Sequence, residues 1–168
     1  MKLYGSLINR LDENKKYCKE IKVGTYATKY YYTDREAYEV VEVIDQNHIK
    51  IRQLKAIRTD NNGMSDCQSY RYESNLNNPI EELKFMRNNW YKVFTYAPLE
   101  VIKERVKEDF RPEARTEENI MNVVRWYCRE MTKKQWEKYL AGQYIKVYKK
   151  LDCGISFGVA DEYYDYCF

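Results

Sequence analysis

The chain has 168 residues and a mass of 20.5 kDa, a size that fits one domain or one domain with a modest insertion. Hydrophobic residues make up 44% and charged residues 33%, a balance that excludes a disordered chain, and no apolar run approaches the roughly 18 residues of a membrane-spanning helix. The net charge of +3 is too small to indicate DNA or RNA as a partner, and we expect no secretory signal peptide and no membrane partner.

The chain begins with a predicted amphipathic helix over residues 3–20, where Leu3, Leu7, Ile8 and Leu11 share one helical face. From residue 21 the hydrophobic period changes, and β-branched and aromatic runs alternate with turn residues. The runs are TKYYYT, YEVVEVI, HIKIRQLKAI, SYRYE, IEELKFM and WYKVFTY. Residues 21–96 therefore predict five or six short antiparallel strands, in a small sheet or a barrel-like core.

Two turns are predicted between these strands. Asp45-Gln46-Asn47 joins the second and third runs, and Asn88-Asn89 is the predicted hairpin turn between the last two.

Residues 97–142 predict a helical insertion. Pro98 suits the first turn of a helix, Thr116 suits the cap of a second, and Thr132 with Gln135 forms a capping-box pair for a third that Gly142 ends. The aromatic residues of the insertion are interpreted as packing rather than ligand contacts, because an amphipathic helix buries its apolar stripe. They are Trp126, Tyr127, Trp136 and Tyr139.

Strand character returns at QYIKVYKK and GISFGV. The sequence therefore predicts an α+β fold as a single domain over 1–168, with a β core at 21–96 and 143–168. Residues 151–168 contain four acidic residues and no Lys or Arg. We expect basic groups elsewhere in the chain, or in a partner subunit, to meet this acidic tail.

The most unusual segment is KAIRTDNNGMSDCQSY, residues 55–70, because a bare hairpin needs only Asn62-Gly63. Arg58 offers a planar fork for a phosphate or carboxylate, and Asp60 can orient it. The alternative is that the Asp and Asn side chains satisfy backbone groups in an irregular turn. The candidate ligand-binding residues of the loop are Arg58, Thr59, Asp60, Asn62, Met64, Ser65, Asp66 and Gln68.

Two further groups complete the candidate site. Tyr31 with Asp34 and Arg35 comes from TDREAY and the tyrosines before it, and Tyr163 comes from the terminal EYYDYCF. If the strand runs through Tyr32, Tyr31 faces away from its two neighbours, so at least one ring stays available to stack on a base. The alternatives are a solvated ion pair in a turn and a terminal strand that completes the sheet.

Catalytic arrangements are missing from the sequence. It contains no GxxxxGK[ST], GxGxxG or GxSxG motif, and its single histidine, His48, lies in a strand-like run. Five cysteines without a CxxC pair predict reduced thiols, mostly small buried hydrophobes. We therefore expect no enzyme activity, no catalytic residues, no metal site and no cofactor.

The motifs TDREAYEVVEV, KAIRTDNNGMSDCQSYRYE and EYYDYCF resemble a family of small proteins from phages and prophages of Gram-positive bacteria. The resemblance covers about residues 21–96 and 143–168, and the insertion at 97–142 departs from it. The chain looks like the Thoeris anti-defence sponges of the first type. These bind and sequester cyclic ADP-ribose-like signals, and in some members cyclic oligonucleotides, without degrading them.

That resemblance implies a homo-oligomer in the host cytoplasm, with ligand enclosed near subunit junctions by aromatic and arginine residues. The alternative function is a phage inhibitor that acts by protein contact, in the manner of an anti-CRISPR protein, with the acidic tail and the insertion as its interface. An enzyme that degrades nucleotides is a third hypothesis.

Overall fold

The structure is a computed structural model, and it describes residues 21–166. The predicted N-terminal helix lies outside the described residues. The strands are β1 (Tyr26–Tyr30), β2 (Arg35–Asp45), β3 (His48–Gln53), β4 (Lys55–Arg58), β5 (Tyr70–Glu73), β6 (Ile80–Met86), β7 (Asn89–Thr95), β8 (Lys146–Lys150) and β9 (Gly154–Phe157). The helices are α1 (Leu99–Asp109), α2 (Glu117–Tyr127) and α3 (Lys133–Leu140), with a 3-10 turn at Pro112–Ala114.

Seven strands form one sheet in the order β8-β7-β6-β3-β2-β1-β9, and β4 pairs with β5 in a separate two-stranded sheet. The α+β class with a sheet core is therefore confirmed. The prediction of five or six strands before residue 96 is wrong, because HIKIRQLKAI is divided into β3 and β4. The division falls at the buried Leu54, whose N–H donates to the Ala37 carbonyl at 2.9 Å before the chain leaves the large sheet.

The turns follow the predicted chemistry with one shift of position. The Asn47 N–H donates to the Asp45 carboxylate at 2.7 Å in the turn between β2 and β3. Between β6 and β7 the turn residues are Arg87 and Asn88, with φ of 49° and 61°, and Asn89 already belongs to β7. The predicted Asn88-Asn89 turn is therefore one residue too late, because a two-residue hairpin loop needs its positive φ angles at Arg87 and Asn88.

The described residues fall into two compact units. The first contains residues up to Lys92 and from Lys150 onward, and the second is Val93–Lys149. The predicted insertion at 97–142 lies within the second unit, which also takes in the end of β7 and nearly all of β8.

The first unit has its hydrophobic core on one face of the sheet. The register sets Val40 opposite Ile51 and Ile49 opposite Leu83, so buried side chains from three adjacent strands share that face. The buried members of this core are Ala27, Tyr38, Val40, Ile49, Ile51, Leu83, Trp90, Ile155 and Phe157. The rings of Phe85 and Phe157 lie 5.3 and 5.4 Å from the ring of Trp90.

The second unit confirms the predicted helix caps. The Thr116 side chain accepts from the Asn119 N–H, Thr132 and Gln135 form a complete capping box, and Gly142 follows α3 with φ of 79°. The buried members of its core are Val106, Ile120, Val124, Cys128, Met131, Trp136, Tyr139, Ile145 and Val147.

The packing role predicted for the insertion's aromatic residues holds for Trp136 and Tyr139 only. Trp126 and Tyr127 are 59% and 51% exposed. Ile120, Val124 and Cys128 recur every four residues on the buried face, and Trp126, two positions after Val124, falls on the opposite side of the helix.

The described cysteines are Cys67, Cys128 and Cys153, and all three are free thiols. Only Cys128 is buried, and burial raises the pKa of its thiol to about 11. Cys67 is exposed, so the expectation of mostly buried cysteines does not hold for it. Among the helices of residues 21–166, none has the length and apolar character needed to cross a membrane.

The core of the first unit gives a matched pair of variants on β6. Leu83 is fully buried and Ile80 is 55% exposed. Leu83→Ala is expected to lower the free energy of unfolding by about 2–5 kcal/mol, whereas Ile80→Ala should change it by about 0.5 kcal/mol or less. Urea unfolding followed by tryptophan fluorescence measures both, and equal losses would contradict the placement of the core.

Candidate functional site

The turn between β1 and β2 contains Tyr31, Tyr32, Thr33 and Asp34, and the Tyr31 N–H donates to the Asp34 carbonyl at 2.9 Å. Since β1 ends at Tyr30, the strand alternation predicted through Tyr32 is wrong. Tyr32 is 98% exposed, whereas Tyr31 donates its hydroxyl to the Glu36 carboxylate at 3.1 Å. Burial and the neighbouring Glu36 raise the pKa of Tyr31. The freely available ring of this turn is therefore Tyr32.

Arg35, at the start of β2, attaches the C-terminal tail to the sheet. Its backbone N–H donates to the Tyr163 carbonyl at 2.9 Å and its carbonyl accepts from the Tyr163 N–H at 3.1 Å. Its guanidinium lies 2.6 Å from the Asp161 carboxylate and 4.8 Å from the centre of the Tyr163 ring. One arginine thus meets part of the acidic tail within the same chain.

Two more contacts hold the tail beside the same hairpin. The Asp34 carboxylate accepts from the Asp165 N–H at 2.9 Å, and the Glu162 carboxylate accepts from the Ala37 N–H at 2.8 Å. The Glu162 N–H donates in turn to the Tyr72 hydroxyl of β5 at 2.9 Å. Burial raises the pKa of Glu162. Backbone and side-chain bonds together fix the tail, which does not become a strand of the large sheet.

Asp60 organises the loop between β4 and β5. Its carboxylate accepts from the Arg58 Nε at 3.0 and 3.1 Å, from the Ser69 N–H at 2.7 Å and from the Asn62 N–H at 2.9 Å. These donors hold the pKa of Asp60 well below its ordinary 3.8, the Arg58 bond being the largest cause. A single carboxylate thus closes the loop from both of its ends.

Arg58 connects this loop to the end of the tail. Its Nη1 donates to the Tyr166 hydroxyl at 2.8 Å, and its guanidinium lies 5.7 Å from the centre of the Tyr166 ring. Its Nη2 lies 3.0 Å from an Asp60 oxygen as an ion pair, yet the geometry gives this buried atom no hydrogen bond. The Arg58 side chain is 23% exposed, so most of its fork is occupied within the protein.

The side-chain amide of Gln68 attaches the tail to the loop by hydrogen bonding to the backbone of Tyr164. Its Nε2 donates to the Tyr164 carbonyl at 2.7 Å, and its Oε1 accepts from the Tyr164 N–H at 3.1 Å and from the Tyr70 hydroxyl at 2.8 Å. The first two bonds reproduce the paired exchange of a β-ladder. The Gln68 side chain thus satisfies both backbone groups of Tyr164, as a residue of a neighbouring strand would.

Some of the remaining loop residues form hydrogen bonds that shape the loop, and others are exposed. The Asn62 amide donates to the Cys67 carbonyl at 2.8 Å, and the Ser65 hydroxyl accepts from the Cys67 N–H at 3.2 Å.

Asp66 accepts from the Tyr163 hydroxyl of the C-terminal segment at 2.9 Å and raises the pKa of that phenol. The Thr59 N–H donates to the Ser69 carbonyl at 2.8 Å. Met64 is 73% exposed.

The tail therefore contacts both of the other segments that the sequence singled out. The three segments are named here the loop (Arg58–Tyr70), the turn (Tyr31–Arg35) and the tail (Asp161–Tyr166). All twelve candidate residues lie in them. Sequence reasoning did not identify Glu36, Glu162 or Tyr72 as partners in this network. Glu162 and Tyr72 are 90 residues apart, and no local pattern signals a contact at that separation.

Within residues 21–166, no group of three or more His, Cys, Asp or Glu side chains is arranged to hold a metal ion. The Nε2 of His48 lies 2.7 Å from the Glu82 carboxylate on β6. No protein-family model, curated protein or solved structure matches the chain. Function therefore has to be inferred from the chemistry of the loop, the turn and the tail.

The low pKa of Asp60 predicts how the loop responds to acid. A carboxylate whose pKa is depressed in the folded state contributes stability that is complete above its unfolded pKa of about 3.9 and is lost as the pH falls through the folded value. In an NMR titration, the amide shifts of Asn62 and Ser69 should move only well below pH 3.8. Asp60→Asn should already displace these shifts at pH 7, and Asp66→Asn is the control. A wild-type midpoint near 3.8 would contradict this structure of the loop.

Proposed function

We propose that the protein is a phage-encoded anti-defence protein that binds and sequesters a cyclic ADP-ribose-like or cyclic nucleotide immune signal without degrading it. It acts in the host cytoplasm as a homo-oligomer. The resemblance to the Thoeris sponges supports this proposal. The observation that carries it is the attachment of the tyrosine-rich tail to both the loop and the turn, which fixes its surface.

Fixation of this surface favours tight binding. Because Asp60 holds the loop at both ends and Gln68 pairs with the Tyr164 backbone, few of these groups would lose freedom when a ligand arrives. Side chains ordered in advance reduce the entropy cost of association. A protein that sequesters a scarce signal needs high affinity, and side chains ordered in advance raise affinity.

The exposed groups of this surface suit a nucleotide. Tyr32 at 98% and Tyr164 at 52% exposure present rings on which a base can stack, and Met64 adds an adaptable apolar contact. The Arg35 side chain is 32% exposed, compared with 23% for Arg58. A phosphate therefore reaches the guanidinium of Arg35 more easily than that of Arg58.

One observation favours the alternative of inhibition by protein contact. Trp126 and Tyr127 lie exposed at the end of α2, with their ring centres 5.3 Å apart, and tryptophan and tyrosine are common anchors of protein interfaces. The acidic tail fits that alternative less well, because Arg35 already pairs with Asp161 and the Ala37 N–H already donates to Glu162.

Native mass spectrometry of the purified protein after incubation with a mixture of cyclic nucleotides tests the proposal. We expect one component to bind and to be recovered chemically intact after heat denaturation of the complex. Recovery of a cleaved product with turnover would contradict sequestration. Binding of no nucleotide, combined with binding to a defence protein, would favour inhibition by protein contact.

Tyr32 provides a variant that leaves the fold untouched. Tyr32→Ala should weaken binding of the nucleotide found by mass spectrometry, since loss of one base stack costs about 1–3 kcal/mol. Tyr144→Ala, at a 67% exposed tyrosine of the second unit, is the matched control and should leave affinity unchanged. Calorimetry measures both. Equal affinities for the two variants would place the ligand elsewhere.

A further inference from the structure

The net charge of +3 conceals an uneven distribution of charge within the second unit. Residues 97–124, which include α1 and most of α2, contain five Lys or Arg and seven Asp or Glu. Residues 125–149 contain seven Lys or Arg and only two Asp or Glu. One of these two acids, Glu130, already lies 3.1 Å from Lys149 and 3.9 Å from Arg129. The last part of the second unit is therefore strongly basic.

The exposed side of α3 carries three lysines of this segment. Lys134 and Lys138 lie one helical turn apart, on the side of α3 opposite to its buried residues. Lys133, at the start of the helix, is exposed as well. In the described part of the chain, none of these three lysines forms an ion pair. Their ammonium groups are therefore available to an anionic partner.

Two arginines extend this basic region to the end of α2 and bring aromatic rings into it. The Arg125 guanidinium lies 4.8 Å from the centre of the Trp136 ring, so it connects the end of α2 to α3. The Arg129 guanidinium lies 4.8 Å from the centre of the Trp126 ring. Even with this neighbour, Trp126 is 59% exposed. The basic surface is defined here as Arg125, Trp126, Arg129, Lys133, Lys134 and Lys138.

The composition of the basic surface fits a single-stranded nucleic acid better than a protein. Lysine is depleted at protein interfaces, whereas surfaces that bind nucleic acids are strongly positive. The exposed indole of Trp126, with an arginine beside it, offers a ring on which an unpaired base stacks. The bases of a duplex are already stacked on one another, so a duplex would not gain this contact.

We propose that the basic surface binds single-stranded nucleic acid without sequence preference. The three lysines of α3 and the two arginines contact phosphates, and the Trp126 ring stacks on a base. This surface lies within the second unit, whereas the loop, the turn and the tail belong to the first. The proposal is therefore independent of the nucleotide site, and either can fail without the other.

Fluorescence anisotropy of the full-length protein with labelled oligo(dT) and oligo(U), each of about 20 nucleotides, tests the proposal. We expect both strands to bind saturably at about 50 mM salt. Neutralisation of about four phosphates predicts that affinity falls about 7-fold between about 50 and 100 mM salt, because each phosphate adds about 0.7 to the logarithmic salt slope.

Two results of this experiment would overturn the proposal. The first is that neither strand binds saturably. The second is that polyglutamate of equal charge competes as well as unlabelled oligo(dT), which would favour an acidic protein as the partner.

A pair of double variants tests the lysines. Lys134→Ala combined with Lys138→Ala should weaken oligo(dT) binding at least about 5-fold and reduce its salt dependence, because two phosphate contacts are lost. Lys22→Ala combined with Lys55→Ala is the matched control, since these two lysines of the first unit are also exposed. The control should leave affinity nearly unchanged. Equal losses in the two double variants would show that net charge alone determines binding, against the proposal.

Trp126→Ala tests the stacking contact on a side chain that is already exposed. It should weaken oligo(dT) binding about 5-fold or more, and it should affect a duplex of the same length about twofold or less. Tyr26→Ala, at a 44% exposed tyrosine of the first unit, is the control and should not change either affinity. Circular dichroism checks that each variant is folded. Unchanged oligo(dT) binding by Trp126→Ala, or an equal loss for the duplex, would contradict the stacking contact and with it the proposed class of partner.

Discussion

The carboxylate of Asp60 is the interaction on which the candidate site depends. It accepts from Arg58 and from the Ser69 N–H, which lie at the two ends of the loop, and from the Asn62 N–H between them. Without a charged acceptor at this position, two backbone donors and a guanidinium would need other partners. The position of Arg58 also determines where Tyr166 ends the tail. The charge of one carboxylate therefore holds both the loop and, through Arg58, its connection to the tail.

Side chains, rather than a further strand, hold the tail against the first unit. Gln68 exchanges two hydrogen bonds with Tyr164, Glu162 accepts from Ala37, and Arg35 forms an ion pair with Asp161. Such attachment leaves the backbone irregular, so successive tyrosine rings need not alternate between two faces of a sheet. The same polar side chains thus create a fixed surface and leave Tyr32 and Tyr164 free for contact. The proposed binding function depends on this division of roles.

Local chemistry was sufficient to predict much of the fold. Thr116, Thr132 and Gln135 cap helices as their spacing indicates, because capping depends on residues three positions apart. The buried face of α2 likewise follows from its period. The break at Leu54 was not predicted, since its N–H is satisfied by Ala37 on another strand, and a continuous apolar pattern does not reveal such a partner.

The candidate site was predicted as a set of segments and not as a geometry. The composition of the loop distinguished Arg58, Asp60 and Gln68 from an ordinary hairpin. It did not reveal that Gln68 meets Tyr164 across 96 residues or that Arg58 meets Tyr166 across 108. These partners depend on the path of the whole chain. The structure therefore assigns to internal hydrogen bonds several groups that the composition assigned to a ligand.

The central claim is that the surface formed by the loop, the turn and the tail binds a nucleotide signal and leaves it intact. Heteronuclear NMR of the ¹⁵N-labelled protein with cyclic ADP-ribose tests both parts in one sample. The account predicts amide shifts concentrated at Tyr31–Arg35, Arg58–Tyr70 and Asp161–Tyr166, with a ³¹P spectrum that still shows the intact ligand after prolonged incubation. Shifts confined to Val93–Lys149, or conversion of the ligand to a new phosphorus species, would contradict it.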